Sequence, residues 1–273
     1  MDRISLTKFY ENGVFNFLNS KDVLDVVLSG EEIDEISLEI RTEENASINL
    51  LILNLKENTK INFNLSKNSK LRIECLFSNE HKFVEITANL MENAEIEGFF
   101  ADFSKGDFVN KVDIHLLERG SKARWKVASL SSKKDNKKFD ISLCHHYANT
   151  YGYIDNYGVS KDDGKLLFSG ISHILKNSKN SITRQNAKIM VFDRYSNAIA
   201  KPILKIDENE IEASHAASVG KISDDEMFYL TSRGLSEEMA KELITLGYLK
   251  PIVSEFKDDD VKESILMLIE ERM

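Results

Sequence analysis

The sequence predicts a mainly β fold: a solenoid of short strands coiled over residues 36–220, followed by a small helical module over residues 221–273. Three observations predict it. A polar turn followed by a short alternating strand recurs along the first half, asparagine punctuates those turns, and near Gly220 the period-two pattern gives way to helical caps and spacing.

The recurring unit runs from Glu44-Asn45-Ala46 into Ile48 to Leu55, from Glu57-Asn58-Thr59 into Ile61 to Leu65, and from Lys67-Asn68-Ser69 into Leu71 to Phe77. It continues from Glu92-Asn93-Ala94 into Ile96 to Phe100, and from Arg119-Gly120-Ser121 into Ala123 to Leu130. With only two prolines in the chain, Asn, Gly, Asp and Ser must make the turns, because they tolerate left-handed or side-chain-bonded backbone. Within a unit the apolar residues alternate, as in Leu71, Ile73, Cys75 and Phe77, so one strand face is buried and the other wet. An immunoglobulin-like sandwich fits this periodicity too. Persistence of the same punctuation for well over a hundred residues favours a parallel solenoid with Asn at its corners.

Residues 1–35 precede the repeats and are expected to cap the solenoid. After Gly220, Ser223-Asp224-Asp225-Glu226 has the form of a capping box, and the helix it opens stops at Gly234. A second helix is expected from Ser236 to Gly247, a further segment from Pro251, and a last amphipathic helix from Asp258 to Arg272 with Val261, Ile265, Leu268 and Ile269 on one side.

A net charge of −9 argues against a nucleic-acid partner, which needs a concentrated basic face. The densest cationic run, Lys133-Lys134-Asp135-Asn136-Lys137-Lys138, reads as a solvated loop between strands. No window reaches membrane-spanning length, and Met1 to Tyr10 lacks the cationic-then-apolar pattern of a signal peptide, so a cytoplasmic protein without a membrane partner is expected. Cys75 and Cys144 are too few for a disulfide framework or for a four-thiolate cluster site within one chain.

No phosphate-binding glycine loop, HExxH helix or paired CxxC motif is present. Tyr147, Tyr151, Tyr153 and Tyr157 read as cross-strand packing rather than a stacking platform. In Ile141-Ser142-Leu143-Cys144-His145-His146-Tyr147, alternation puts Ile141, Leu143, His145 and Tyr147 on one face and Ser142, Cys144 and His146 on the other. Cys144 and His146 could thus converge on a soft metal or cluster iron. The plainer reading is a buried small hydrophobe beside a hydrogen-bonded strand histidine.

The sharpest stretch is Ile211-Glu212-Ala213-Ser214-His215-Ala216-Ala217-Ser218-Val219-Gly220-Lys221-Ile222, followed by Phe228-Tyr229-Leu230 and Ser232-Arg233-Gly234-Leu235. It resembles the C-terminal signature of the SufB/SufD family of iron–sulfur cluster assembly scaffolds. The likeness extends upstream through Asp163-Gly164-Lys165-Leu166-Leu167-Phe168-Ser169-Gly170, Gln185-Asn186, Asp193 and Lys201-Pro202, includes His146-Tyr147-Ala148, where Asn149 replaces a common proline, and covers roughly Ile141 to Val253, with a looser similarity to the N-terminal repeats.

The resemblance implies a right-handed parallel β-helix and a helical region that docks a SufC-type ABC ATPase. Phe228, Tyr229, Leu230, Arg233 and Gly234 are the residues that would meet the ATPase. It also implies a homodimer, or a heterodimer with a SufB/SufD-like protomer, that assembles a transient, labile iron–sulfur cluster or binds iron at its interface. A cysteine desulfurase or other sulfur donor would join it, and the participation of a flavin is left open. His215 matches a histidine assigned to cluster assembly, with Glu212, Cys144 and His146 as partner candidates. On a strand Glu212 and His215 occupy opposite faces, so pairing them requires a bend. Asn186 stands where SufB-like members carry a cysteine, and Ala216 replaces their glutamate. The chain also lacks the long N-terminal extension of many members and resembles a minimal, SufD-like form.

The expected role is therefore a non-catalytic scaffold, with ATP chemistry in the partner. The rival readings are an ABC-transport accessory protein and a β-helix carbohydrate-active enzyme. For the latter Asp155, Asp162 and Asp163 are the available carboxylates, although their neighbours mark them as turn formers.

Overall fold

The computed structural model describes residues 4–5, 10–11, 14–17, 24–29, 37–54, 58–78 and 83–273. Among these the chain winds back and forth between two nine-stranded sheets. The first sheet holds, in spatial order, β1 (Ile4–Ser5), β4 (Leu24–Ser29), β6 (Ser47–Leu53), β8 (Lys70–Phe77), β10 (Glu95–Asp102), β12 (Lys122–Ser131), β14 (Tyr151–Ser160), β16 (Ile182–Val191) and β18 (Glu212–Lys221). The second holds β2 (Tyr10–Glu11), β3 (Val14–Phe17), β5 (Ser37–Thr42), β7 (Thr59–Leu65), β9 (Phe83–Leu90), β11 (Phe108–Leu116), β13 (Asn136–His145), β15 (Lys165–Ile174) and β17 (Asn197–Ile206). From β3 onward every ladder pairs a strand with the strand one coil away, in parallel, which defines a parallel β-helix. The sandwich alternative, built on antiparallel ladders, is thereby excluded. The capping expected of residues 1–35 falls largely outside the described residues; the strands described there continue the two sheets.

The corners explain why asparagine recurs. Asn45, Asn68, Asn93, Asn149 and Asn180 all take positive φ, between 53° and 62°, and Gly120 takes the same corner at 76°. These are left-handed conformations that Asn and Gly enter at least cost. Each corner amide also bonds to its neighbour along the solenoid: Nδ2 of Asn68 donates to Oδ1 of Asn45 at 3.1 Å, and Nδ2 of Asn93 donates to Oδ1 of Asn68 at 3.2 Å. Corner spacing grows from 23 residues between Asn45 and Asn68 to 31 between Asn149 and Asn180. The strands lengthen in step, from seven residues in β7 to ten in β13, so the solenoid widens toward its C-terminal end.

Side chains that point between the sheets fill the interior. Phe77, Phe100, Phe108, Phe139 and Phe168 form a column whose successive ring centroids lie 4.8–6.1 Å apart. Trp125 lies flat over Gly98, where a Cβ would sit 2.2 Å from the indole. The expected wet outer face holds only in part. Phe99, Ala101, Phe103, Ala128, Leu130 and Val159 break the alternation and are buried, because two helices lie over that end of the first sheet.

Those helices follow β18. α1 (Asp224–Ser232) buries none of its residues, whereas α2 (Glu237–Val253) and α3 (Asp259–Arg272) pack Leu249, Ile252, Val261, Ile265 and Ile269 onto the sheet. The capping box expected at Ser223 is not formed, since its hydroxyl makes no cap bond; Ser236 and Asp258 do cap α2 and α3. α2 also does not stop at Gly247. It continues through Pro251, because Leu249, Ile252 and Val253 gain their burial only as a helix against the sheet. None of the described helices is long and apolar enough to cross a membrane.

The cationic run is not wholly a loop. Lys133 makes the turn at positive φ, but Lys137 points inward from β13 and is fully buried, its Nζ 2.7 Å from Asp102. Burial lowers its pKa although Asp102 opposes that shift. Arg272, the last residue of α3, reaches into the same region and bonds Asp135 and the carbonyls of Ser104 and Leu130.

Candidate functional site

The widening solenoid is left open at its C-terminal end, where β17 and β18 are the outermost strands of the two sheets. Their inward-facing side chains would be core in any earlier coil. Register shows the change: above Trp125 stand Ile154, then Gln185, then His215, so an apolar column turns polar and ends in an imidazole at the mouth. His215 is exposed because no further coil covers it. Beneath it, Gln185 is buried; its Nε2 donates to Ser172 Oγ at 2.7 Å and to the Ile203 carbonyl at 3.0 Å, while its Oε1 has no partner. Ala213 and Ala217 flank His215 on its own face of β18, and Ala198 and Ala200 are among the inward residues of β17.

Glu212 does not join His215. It points outward, its carboxylate 3.8 Å from Arg184, and β18 runs straight without the bend that pairing requires. Asn186 pairs with Ala216 on the outer face, beside the Gln185 and His215 step rather than on it.

The two open edges differ. Asn197 N–H bonds back to Gly164, so alternation aims the backbone of Pro202 at the free edge of β17, where it offers no donor. Glu212 N–H bonds back to Ser181, so the N–H and C=O groups of Ala213, His215, Ala217 and Val219 face the free edge of β18. Between Glu212 and Lys221 that strand carries no acid, lysine or arginine. A long, uncharged, uncovered edge of this kind is a template for pairing with another strand.

Cys144 and His146 lie elsewhere, on the outer face of the second sheet. Alternation holds through β13: Ile141, Leu143 and His145 are buried while Ser142 and Cys144 face out. β13 ends at His145, and Tyr147 is exposed rather than interior. The His145 ring is held at a pKa of about 3 by burial, with His146 adding to the shift, and its Nδ1 lies 2.7 Å from Thr150 Oγ1. Beside Cys144 in the ladder stands His115, a residue not singled out from the sequence. Among the described residues, His115, Cys144 and His146 are the one group of three or more His, Cys, Asp or Glu whose donor atoms gather closely enough for a metal, all within 4.8 Å of one another. Cys75 is no part of this: it is buried in the interior, and burial raises its thiol pKa strongly.

The residues expected to meet an ATPase share the exposed α1. Phe228 is 73% exposed and Tyr229 58%, Leu230 is half-buried, Arg233 lies 5.3 Å over the Tyr229 ring, and Gly234 ends the helix at φ 95°. Asp162 and Asp163 sit at positive φ in the turn between β14 and β15, as turn formers do, while Asp155 is in mid-strand.

Residues 30–248 match the SUF system FeS cluster assembly SufBD core domain. The chain is 29% identical over 181 residues to the iron–sulfur cluster assembly protein SufD of Bacillus subtilis, a match covering 66% of this chain and 41% of that protein. It is 30% identical over 140 residues to a SufBD family protein of Staphylococcus epidermidis, covering 51% and 30%, and 29% identical over the same length to one of Staphylococcus aureus. The matched stretch thus spans well under half of these relatives. With a parallel β-helix and the matched core running through both β18 and α1, the chain belongs to the SufBD family of SUF-system iron–sulfur cluster assembly proteins.

Proposed function

We propose that this chain is a scaffold subunit of the SUF assembly complex. It docks a SufC-type ABC ATPase through α1 and receives iron and sulfide at the open end of the solenoid, against a second SufB/SufD-like protomer or a second copy of itself. The observation that carries this reading is one of burial. The segment bearing the family signature, from Glu212 to Leu235, is the part its own fold leaves uncovered: β18 is exposed along nearly all its length and α1 buries nothing.

In this reading His215 supplies one imidazole nitrogen to the incoming iron, the small residues around it admit the second protomer, and the β18 edge joins the two. One imidazole cannot hold a cluster. Among the described residues His215 belongs to no group of three or more His, Cys, Asp or Glu, so in this reading the remaining ligands come from the other protomer or the sulfur donor, and the cluster is held weakly enough to be passed on. ATP hydrolysis belongs to the partner, because this chain has no phosphate-binding loop. The reading also places the protein in the cytoplasm, beside that ATPase.

Replacing Phe228 or Tyr229 by Asp tests the docking. Neither side chain is buried in this chain, so the fold should persist, and loss of an aromatic anchor of about 2 kcal/mol should weaken capture of the ATPase about 30-fold. Undiminished binding by both variants would remove α1 from the interface.

A further inference from the structure

The outer face of the second sheet carries a row of side chains that no step of the assembly reading uses. Because the coils superpose in register, His115 of β11 stands beside Cys144 of β13, which stands beside His173 of β15. His146, the first residue after β13, is anchored by its N–H to the Leu116 carbonyl at 2.9 Å. Its ring turns back over the row, with Nε2 3.1 Å from Nδ1 of His115.

We propose that His115, Cys144 and His146 form a mononuclear binding site for a divalent first-row transition ion of borderline softness, of the Zn(II) or Fe(II) class, with a fourth position open. The donor set is one thiolate and two imidazoles, which suits such ions and disfavours calcium or magnesium. The spacing fits as well. Two nitrogens bound tetrahedrally at about 2.0–2.1 Å from one ion lie about 3.4 Å apart. His115 and His146 already hold theirs at 3.1 Å, with the Cys144 sulfur within 4.8 Å of both. At about 2.3 Å from the ion the sulfur would lie about 3.6 Å from each nitrogen, so binding asks the Cys144 side chain and the two rings to close by up to about 1.2 Å.

The scaffold is rigid where it needs to be, since two of the three ligands sit on adjacent ladder strands. His173 flanks the row, its Nε2 2.7 Å from Asp207, so it is already committed to that carboxylate and is counted as a neighbour, not a ligand. The Cys144 thiol gives up its proton on binding the ion, as a thiolate ligand must.

This site is distinct from His215, which faces the interior at the end of the first sheet, whereas Cys144 faces out from the second. It also stands without the ATPase or a second protomer, so the isolated full chain tests it and the scaffold reading separately. Co(II) is the probe, added anaerobically to the purified, reduced, metal-stripped protein, with Zn(II) as competitor. One equivalent should bind with a thiolate-to-cobalt charge-transfer band and the intense visible bands of tetrahedral cobalt, and Zn(II) should bleach both.

Cys144→Ser should abolish the charge-transfer band. His115→Asn and His146→Asn should each weaken cobalt binding by more than about 100-fold, beyond the 10–100-fold that loss of an outer partner costs. Circular dichroism should show all three folded, as expected of changes on a half-exposed outer face. His215→Ala should leave the spectrum unchanged. Cobalt bound without the charge-transfer band, or the same band persisting in Cys144→Ser, would overturn the proposal.

Discussion

Replacing Arg272 by Met should lower the stability of the protein by about 3–5 kcal/mol, the range for breaking a buried ion pair from one side. Arg272 is nearly buried and bonds Asp135, Ser104 and Leu130 at once. Without it the Asp135 carboxylate keeps the Gly106 and Ser132 N–H groups, at 2.8 and 3.0 Å, but loses its guanidinium partner. The Lys137 and Asp102 pair is part of the same network, because Arg272 contributes to the Lys137 shift. A double variant, Arg272→Met with Asp135→Asn, should recover part of the loss, since it removes the orphaned charge. Denaturant unfolding followed by fluorescence of Trp125, the sole tryptophan and interior to β12, reports directly on these coils. A loss below about 1 kcal/mol, the scale of an exposed pair, would show that α3 is not tied to the solenoid in this way.

Ala217→Pro should abolish pairing between protomers and leave the individual solenoid folded. The N–H of Ala217 faces the open edge of β18, so proline there removes no bond to β16. The neighbouring strand supplies the precedent, because Pro202 occupies the corresponding kind of position on the free edge of β17. Lys201 and Lys205 charge that strand further, whereas β18 has no such protection. Strand addition depends on main-chain hydrogen bonds, so one proline in mid-edge should shift the assembly to monomer by light scattering at micromolar concentration. An unchanged dimer would place the protomer contact somewhere other than β18.

Much of the fold is legible in the sequence because one corner of every coil is chemically marked. Asn45, Asn68 and Asn93 must be left-handed, and the alternating residues after them must face inward. The opposite corner is marked by asparagine at Asn58 but not beyond it: Gly106, Lys133 and the Asp162-Asp163 pair share no residue type, so β9 and β11 pass unnoticed between the readable units. The wet-face expectation fails at Phe99 and Leu130 because only the fold reveals that α2 and α3 lie there. Lys137 is misplaced for a similar reason, since its partners Asp102 and Ser104 are 35 and 33 residues away.

At the site, His215 and the α1 residues are readable through the family resemblance, and Cys144 and His146 from strand alternation. His115 is not, because it joins Cys144 only through the coil register. The signal was present: the same 29-residue step separates His115 from Cys144 and Cys144 from His173, and it can be used once the coil length is known.

The central claim, that the open end of the solenoid is where iron and sulfide are gathered, is tested most directly by elemental analysis. The chain is co-expressed with a SufC-type ATPase, purified without oxygen, and assayed for iron and acid-labile sulfide alongside a His215→Ala variant. The account predicts iron and sulfide in the wild-type complex, their loss from the variant, and the same subunit composition in both, because the exposed His215 ring has no packing role. Full iron and sulfide loading in the His215→Ala complex would contradict it.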